Sequence, residues 1–202
     1  MATAQKLRIL GIIGSLRAKS YNRQLMINAQ QIISHMDNAE IEIFEDIGQL
    51  PFVNEDKELD YCQNDDNVKR FKQSIEQSDA VLFATPEYNF SIPGVLKNAI
   101  DIGTRPGPKN SFINKAIGVM SASPGNLGGI RAQGVLRQTF FAFGPSTGYP
   151  EYILPRAGQA FDEQGKLKDA QAEKLLKSYL QQLVNLALKH KNSSPTTIKS
   201  NK

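Results

Sequence analysis

Short, largely apolar segments alternate with longer amphipathic segments along this chain. The segments Leu7–Ile13 and Ala80–Thr85 contain few polar side chains, as expected of strands that are covered on both faces of a parallel sheet. In other segments, such as Asn22–Met36, apolar residues recur at helical spacing. Strands that alternate with helices favour a parallel sheet with right-handed crossovers and helices on both faces. The sequence therefore predicts an α/β fold.

The same periodicities locate the other predicted elements. Strands are predicted at residues 7–13, 41–44, 80–85, 115–121 and 149–154, and helices at 22–36, 68–77, 92–101, 130–143 and 170–190. An acidic stretch between Glu55 and Asp66 shows neither period and is predicted to be irregular. We expect residues 1–188 to form one domain, followed by a basic tail at 189–202 that is disordered from Asn192 onward.

The net positive charge of the chain lies in its last residues. The formal charge is +4, but four lysines fall in residues 189–202, which contain no acidic residue, so residues 1–188 carry 20 basic and 20 acidic side chains. The charge therefore describes a tail and not a nucleic-acid-binding face, and no nucleic-acid partner is predicted. A regulatory or nucleic-acid-binding protein that uses this tail stays open as an alternative, and deletion of the tail would then abolish a salt-sensitive interaction.

The composition also limits the compartment and the kind of site. Cys62 is the only cysteine, which excludes a disulfide framework. The sequence has no signal-peptide pattern and no apolar run of roughly 20 residues, so we expect a cytoplasmic protein without membrane insertion. His35 and His190 stand apart from any cluster with metal-ligand spacing, and no metal site is predicted.

The loop after the first predicted strand, Gly14–Asn22, has the composition of an anion site. Ser15, Ser20 and Asn22 supply hydroxyl and amide groups beside the start of a predicted helix, where free N–H groups and the helix dipole favour an anion. Arg17 adds a bidentate phosphate donor. The loop has neither the Walker pattern nor the Gly-x-Gly-x-x-Gly dinucleotide turn. An ordinary capped helix is the alternative interpretation.

A second loop, Pro86–Ser91, follows the strand at residues 80–85 and precedes a predicted helix that Ser91 is expected to cap. Ligands of open α/β sheets bind at the carboxyl ends of strands, so Glu87, Tyr88 and Asn89 are expected to face a site. In the third loop, Ser121–Gly129, glycines let the backbone approach a flat ligand. A flexible glycine turn is the alternative there.

Taken together, these loops resemble those of the NAD(P)H-dependent FMN reductases, a family that includes quinone, azo-dye and chromate reductases. The resemblance extends over about residues 6–188. It is carried by Gly-Ser-Leu-Arg at 14–17 with Ser20 and Asn22, by Pro-Glu-Tyr-Asn at 86–89 with Ile-Pro-Gly-Val-Leu-Lys-Asn-Ala-Ile-Asp at 92–101, and by Gly-Gly-Ile-Arg-Ala-Gln at 128–133. The chain departs from the family at Ile102, where a tryptophan often stands.

The resemblance implies a flavodoxin-like three-layer sandwich with a five-stranded parallel sheet of order 2-1-3-4-5. It also implies bound FMN as the cofactor and NADPH or NADH as the co-substrate. The residues implied to bind FMN come from the three loops: Ser15, Arg17, Ser20, Tyr21 and Asn22 around the phosphate, Pro86, Glu87, Tyr88 and Asn89 along the ring, and Ser121, Ser123 and Gly125 at its other border.

The implied activity is transfer of a hydride from NAD(P)H to FMN and then of two electrons to a quinone, flavin, azo or similar small-molecule acceptor. No catalytic side chain is implied, because the cofactor carries the chemistry. The family also implies a homodimer or homotetramer, and Glu87 is interpreted as an ion-pair partner of Arg131 or Arg137 across subunits. A flavodoxin-like electron carrier without its own nicotinamide reaction is the main alternative.

Overall fold

Five parallel strands form the centre of the protein. The computed structural model describes residues 6–145 and 151–193. The strands are β1 (Leu7–Ile13), β2 (Ala39–Phe44), β3 (Ala80–Ala84), β4 (Ala116–Ala122) and β5 (Tyr152–Leu154). They are hydrogen-bonded in the order β2-β1-β3-β4-β5, and every pair is parallel. The predicted flavodoxin-like strand order is therefore confirmed.

Helices cover both faces of this sheet. They are α1 (Tyr21–Ser34), α2 (Glu58–Asn64), α3 (Asp66–Gln77), α4 (Gly94–Thr104), α5 (Ile130–Phe140) and α6 (Ala170–Ser193), with short 3-10 turns at Ile47–Gln49, Glu55–Lys57, Gly107–Lys109 and Ala157–Gln159. Among the described residues, no helix has both the length and the apolar character needed to cross a bilayer.

Each face of the sheet has its own apolar core. In β3, Leu82 and Ala84 pack with α1 and α6, whereas Val81 and Phe83 pack with α3, α4 and α5. Alternate side chains of a strand point to opposite faces, and all five residues of β3 are buried. This is the covered, uninterrupted apolar strand that the sequence predicts.

Two predictions about the helices differ from the structure. The acidic stretch contains α2, so the prediction that it is irregular is wrong; Tyr61 is the only buried residue of this helix, which leaves no apolar period to detect. At the other end of the chain, α6 continues through Asn192 and Ser193, so the predicted disorder does not begin at Asn192. Residues 149–150 of the predicted fifth strand and residues 194–202 of the tail lie outside the described residues.

The start of α4 also differs from prediction. The helix begins at Gly94 with Pro93 at its amino-terminal cap and no side-chain capping bond. Ser91 instead closes a tight turn, in which Tyr88 N–H donates to Ser91 C=O at 2.9 Å and Ser91 N–H donates to Tyr88 C=O at 3.0 Å. Asn89 and Phe90, at the tip of this turn, have φ of 49° and 66°. Two consecutive left-handed residues are typical of a type I′ hairpin turn.

A buried tyrosine completes the hydrogen bonding of the sheet where β5 is too short to do so. β5 pairs with β4 only from Met120 onward. Before that point, the Tyr179 hydroxyl accepts from Val119 N–H at 2.6 Å and donates to Val119 C=O at 2.7 Å. Tyr179 therefore satisfies two buried backbone groups of the same residue.

Tyr179→Phe is expected to lower the free energy of unfolding by about 2–4 kcal/mol, because two buried polar groups lose their partner at once. Urea denaturation would measure the change. Tyr152→Phe is the matched control, since within residues 6–145 and 151–193 the Tyr152 hydroxyl makes one part-buried bond, to Ala172 C=O at 3.2 Å. Equal losses in the two variants would contradict this role of Tyr179.

Candidate functional site

The three predicted ligand loops meet at the carboxyl edge of the sheet. They follow β1, β3 and β4, which are neighbours in the strand order. Gly14 N–H donates to Ala84 C=O at 2.8 Å, and Thr85 N–H donates to Met120 C=O at 3.0 Å, so the loops leave the sheet side by side. We name them the first loop (residues 14–20), the second loop (85–93) and the third loop (123–129).

The first loop leads directly into the amino terminus of α1. The Ser20 Oγ caps the helix by accepting from the N–H groups of Asn22 and Arg23, at 3.2 and 3.4 Å. The Ser15 Oγ accepts from Arg17 N–H at 3.4 Å. Both hydroxyl oxygens therefore shape the loop, and both residues are buried.

The first loop carries uncompensated positive charge. Arg17 and Lys19 are exposed, and among the described residues no carboxylate lies within ion-pair distance of either. Within the same part of the chain, no acceptor is bound by the backbone N–H groups of Leu16, Ala18 and Lys19. Free N–H groups, a helix dipole and two cations make this loop suited to a phosphate.

Asn22 connects the end of the first loop to β4, the strand that precedes the third loop. Its Nδ2 donates to Ala122 C=O at 2.9 Å, and its Oδ1 accepts from Ala122 N–H at 2.8 Å. The Asn22 side chain is buried, and both polar atoms of its amide group are hydrogen-bonded in this bridge. The residue thus holds α1 against the end of β4, and its contribution to an anion site comes through its position.

Asn22→Ala is expected to lower the free energy of unfolding by about 2–3 kcal/mol, because Ala122 loses both of its side-chain partners in a buried place. Urea denaturation measures this change, and flavin fluorescence quenching should show weaker FMN binding as the two loops separate. Asn64→Ala removes an exposed amide that bonds Asp60 and should leave both properties unchanged. An equally small effect of Asn22→Ala would show that the bridge does not hold the loops together.

Glu87 in the second loop is held by Arg131 of α5. Its Oε2 accepts from Arg131 N–H at 3.0 Å, and its Oε1 accepts from Arg131 Nε at 2.8 Å. The ion pair that the sequence predicts is thus made within one chain, and its assignment across subunits is wrong for Arg131. Arg137 instead pairs with Glu151, and its Nη2 donates to Gln133 Oε1 at 3.0 Å.

The tip of the second loop is strained and partly apolar. Phe90 has a left-handed backbone and an exposed ring, and the Arg131 guanidinium lies over that ring at 4.4 Å. Left-handed non-glycine residues are held only where surrounding contacts fix them, and they concentrate at functional sites. Arg131 supplies such contacts, because it binds Glu87 and Phe90 at once.

The third loop is packed against the end of β5. Gly128 and Gly129 have φ of 60° and 92°, and Ser123 N–H donates to Leu154 C=O at 3.1 Å. A Cβ added at Gly125 would meet nothing closer than the Ser123 Oγ, at 3.6 Å, so the backbone at Gly125 is open. Ser121 differs from these residues, because it is fully buried and its Oγ accepts from Gln133 Nε2 at 2.6 Å.

A cleft of about 380 Å³ lies between the first and second loops. Its lining is mostly apolar and comprises Gly14, Ser15, Leu16, Arg17, Tyr88, Pro93, Gly94 and Val95. Ser15, Arg17 and Tyr88 are among the site residues predicted from the sequence, whereas Leu16 and the residues at the start of α4 are not. A large apolar side chain in a mostly polar loop, as at Leu16, is the sequence signal that could have indicated an apolar cleft wall. Pro86, Glu87, Asn89, Tyr21 and the third-loop residues do not line this cleft.

This arrangement fits a flat ring with a phosphate tail, such as FMN. The amino terminus of α1 and Arg17 suit the phosphate, and the cleft beside them has apolar walls. A Cβ added at Gly94 would meet no atom within 4 Å, so the glycine leaves bare backbone and free space where a ring would lie.

The comparisons with known proteins agree with this geometry. Residues 7–158 match the family model described as NADPH-dependent FMN reductase. A quinone reductase of Pseudomonas putida is 42% identical over 159 residues, which cover 78% of this chain and 83% of the relative. An NAD(P)H:quinone oxidoreductase of Solanum tuberosum is 40% identical over 195 residues, covering 95% and 98%.

A solved structure leads to the same family. FerB, a flavoenzyme NAD(P)H:(acceptor) oxidoreductase from Paracoccus denitrificans, superposes with a TM-score of 0.82 and 34% identity, covering 91% of this chain and 98% of that one. The chain therefore belongs to the NADPH-dependent FMN reductase family, and it is an oxidoreductase whose cofactor is FMN and whose co-substrate is NAD(P)H.

Proposed function

We propose that this enzyme is an NAD(P)H:quinone reductase in which the dinucleotide and the quinone occupy the open side of the cleft in turn. The observation that carries the proposal is the composition of the cleft. Its described lining contains no carboxylate, histidine or cysteine, so it offers binding surfaces but no carboxylate, imidazole or thiol to act as a base or nucleophile. The quinone assignment is supported by the names of the relatives from Pseudomonas putida and Solanum tuberosum.

FMN, when bound, supplies the redox chemistry by which two electrons pass from nicotinamide to acceptor. The residues of this chain bind and orient. The N–H groups of the first loop and the Arg17 guanidinium hold the phosphate, and Leu16 and Val95 exclude water from the ring. Tyr88, which lines the cleft and is 47% exposed, would contact the molecule that occupies it.

The proposal extends to free flavin and azo-type acceptors. The cleft lining includes Leu16, Tyr88 and Val95, which present apolar surface and few directional hydrogen-bonding groups. Specific reading of an acceptor requires fixed polar groups, so we expect a broad range of flat, electron-poor acceptors.

We further propose that the protein assembles as a homodimer or homotetramer. Three large apolar side chains are exposed on the second and third loops and the start of α5: Phe90, Leu127 and Ile130. Apolar residues that cluster near a site mark interaction surfaces in soluble proteins, and a second copy of the chain would cover them. Sedimentation equilibrium of the FMN-loaded protein measures the state directly.

Steady-state oxidation of NADPH and NADH by the FMN-loaded protein, with benzoquinone, free FMN or an azo dye as acceptor, tests the function. We expect rapid oxidation that requires both the nicotinamide and the quinone. If neither nicotinamide is oxidised with any acceptor while dithionite still reduces the bound flavin, the protein is an electron carrier and the proposal fails.

A further inference from the structure

Arg156 is held beside the third loop in an unusual conformation. It directly follows β5 and has φ of 52° and ψ of 37°, a left-handed backbone that costs a non-glycine residue about 1–2 kcal/mol. Its N–H donates to Gly125 C=O at 3.2 Å, and its Nε donates to Asn126 Oδ1 at 3.1 Å. Two contacts therefore fix the base of the guanidinium against a loop of the proposed flavin site.

The outer end of the Arg156 guanidinium has no acceptor among the described residues. The two arginines of α5 differ in this respect, because Arg131 pairs with Glu87 and Arg137 pairs with Glu151. The phosphate of FMN has its own place at the first loop with Arg17. The FMN phosphate therefore does not need Arg156 as a partner. Because the guanidinium is held in place and has a planar fork of N–H donors, it suits a second phosphate.

A groove of about 430 Å³ begins at Arg156 and runs between β5 and α6. Its lining is mostly apolar and includes Leu154, Pro155, Gln159, Leu175 and Tyr179. Two carboxylates also line it: Glu151, which is neutralised by Arg137, and Asp169, whose Oδ1 accepts from Gln171 N–H at 2.8 Å. The volume lies within the range of small-molecule sites, and a purine nucleoside has the flat apolar surface that such a lining accepts.

We propose that Arg156 binds a phosphate of the incoming nicotinamide dinucleotide and that the adjoining groove receives its adenosine end. This inference rests on the proposed function, because it concerns the co-substrate of that reaction. The Arg156 guanidinium would bind either the pyrophosphate, which NADH and NADPH share, or the 2′-phosphate, which only NADPH has. Both are phosphate esters that accept paired N–H donors.

The test compares Arg156→Gln with Arg156→Lys and with Arg70→Gln, which alters an exposed arginine of α3 paired with Asp46. For each FMN-loaded variant we would measure the KM for NADPH and NADH, and the calorimetric Kd for adenosine 2′,5′-bisphosphate and ADP. Arg156→Gln should raise the affected constants about tenfold or more, with kcat and the Kd for FMN within about twofold of the wild type. Arg156→Lys should recover part of the loss, and Arg70→Gln should change nothing.

Comparison of the four ligands shows whether Arg156 binds the pyrophosphate or the 2′-phosphate. Loss restricted to NADPH and the bisphosphate assigns Arg156 to the 2′-phosphate, whereas equal loss for NADH and ADP assigns it to the pyrophosphate; either result supports the proposal. Unchanged constants in Arg156→Gln overturn it. So does a weaker Kd for FMN, which would place the FMN phosphate at Arg156, or a loss of kcat alone, which would make Arg156 a support of the third loop.

The groove is tested by Leu175→Glu, since Leu175 lines it and is 54% exposed. A new carboxylate there should weaken the binding of both adenosine 2′,5′-bisphosphate and ADP. Leu59→Glu, which places a carboxylate at an exposed position on α2, should leave their binding unchanged. An unchanged Kd with an altered oligomeric state would assign the groove to a subunit contact and overturn this half of the proposal. Failure of the proposed function is distinguishable, because the wild type would then oxidise neither dinucleotide whatever the calorimetry shows.

Discussion

Gly128→Ala is expected to lower the free energy of unfolding by about 2–4 kcal/mol, which combines overpacking with a left-handed backbone. A Cβ at this position would lie 2.0 Å from Ile153 Cγ2 and 3.2 Å from the backbone nitrogen of Pro155, and φ is 60°. Relief requires the third loop to move away from the end of β5. We therefore expect FMN binding to weaken together with stability, as measured by urea denaturation and by quenching of flavin fluorescence.

Gly134→Ala is the matched control for Gly128→Ala. Gly134 lies in α5, and a Cβ there would meet no atom within 4 Å. Alanine in a helix is favoured over glycine by about 0.5–1 kcal/mol, so this variant should be slightly more stable than the wild type. A Gly128→Ala protein as stable as the Gly134→Ala protein would show that the third loop is not packed as described.

Arg17→Ala is expected to raise the Kd for FMN by roughly 10- to 100-fold, because a hydrogen bond to a charged group contributes about 1.5–3 kcal/mol. The Kd for riboflavin, which has the same ring but no phosphate, should change little. Fluorescence titration with both flavins measures the two constants. Arg105→Ala removes an arginine that pairs with Glu55, away from the first loop, and should leave both constants unchanged. An equal loss for FMN and riboflavin would refute a phosphate role for Arg17.

The strands and helices of the sheet could be predicted because their signals are local, whereas the strand order was implied by the resemblance to the FMN reductases. The predicted bounds of β1 agree with the structure, since a buried parallel strand is a mostly apolar run with clear ends, and Arg8 is the one charged residue in it. The loops were found for a similar reason: Ser, Asn, Gly and Arg directly after such runs have few uses in packing. Most of the fold and the place of the site were therefore accessible from the sequence.

The roles of individual side chains were not accessible, because they depend on partners far along the chain. The Asn22 side-chain amide is hydrogen-bonded to the backbone of Ala122, 100 residues later, and the Ser121 hydroxyl accepts a hydrogen bond from Gln133. The sequence groups both with ligand-binding residues, since their chemical type is the same in either role. At Ser91 two local structures compete. A serine is a good helix cap, but the backbone N–H and C=O of Ser91 are hydrogen-bonded to Tyr88 in the hairpin turn.

The most direct test of the account is anaerobic mixing of the FMN-loaded protein with NADPH and, separately, with NADH, followed by addition of benzoquinone. We expect loss of the absorbance of the oxidised flavin with at least one nicotinamide, and its recovery once the quinone is added. Absorbance that stays unchanged with both nicotinamides would contradict reduction of the bound FMN by NAD(P)H.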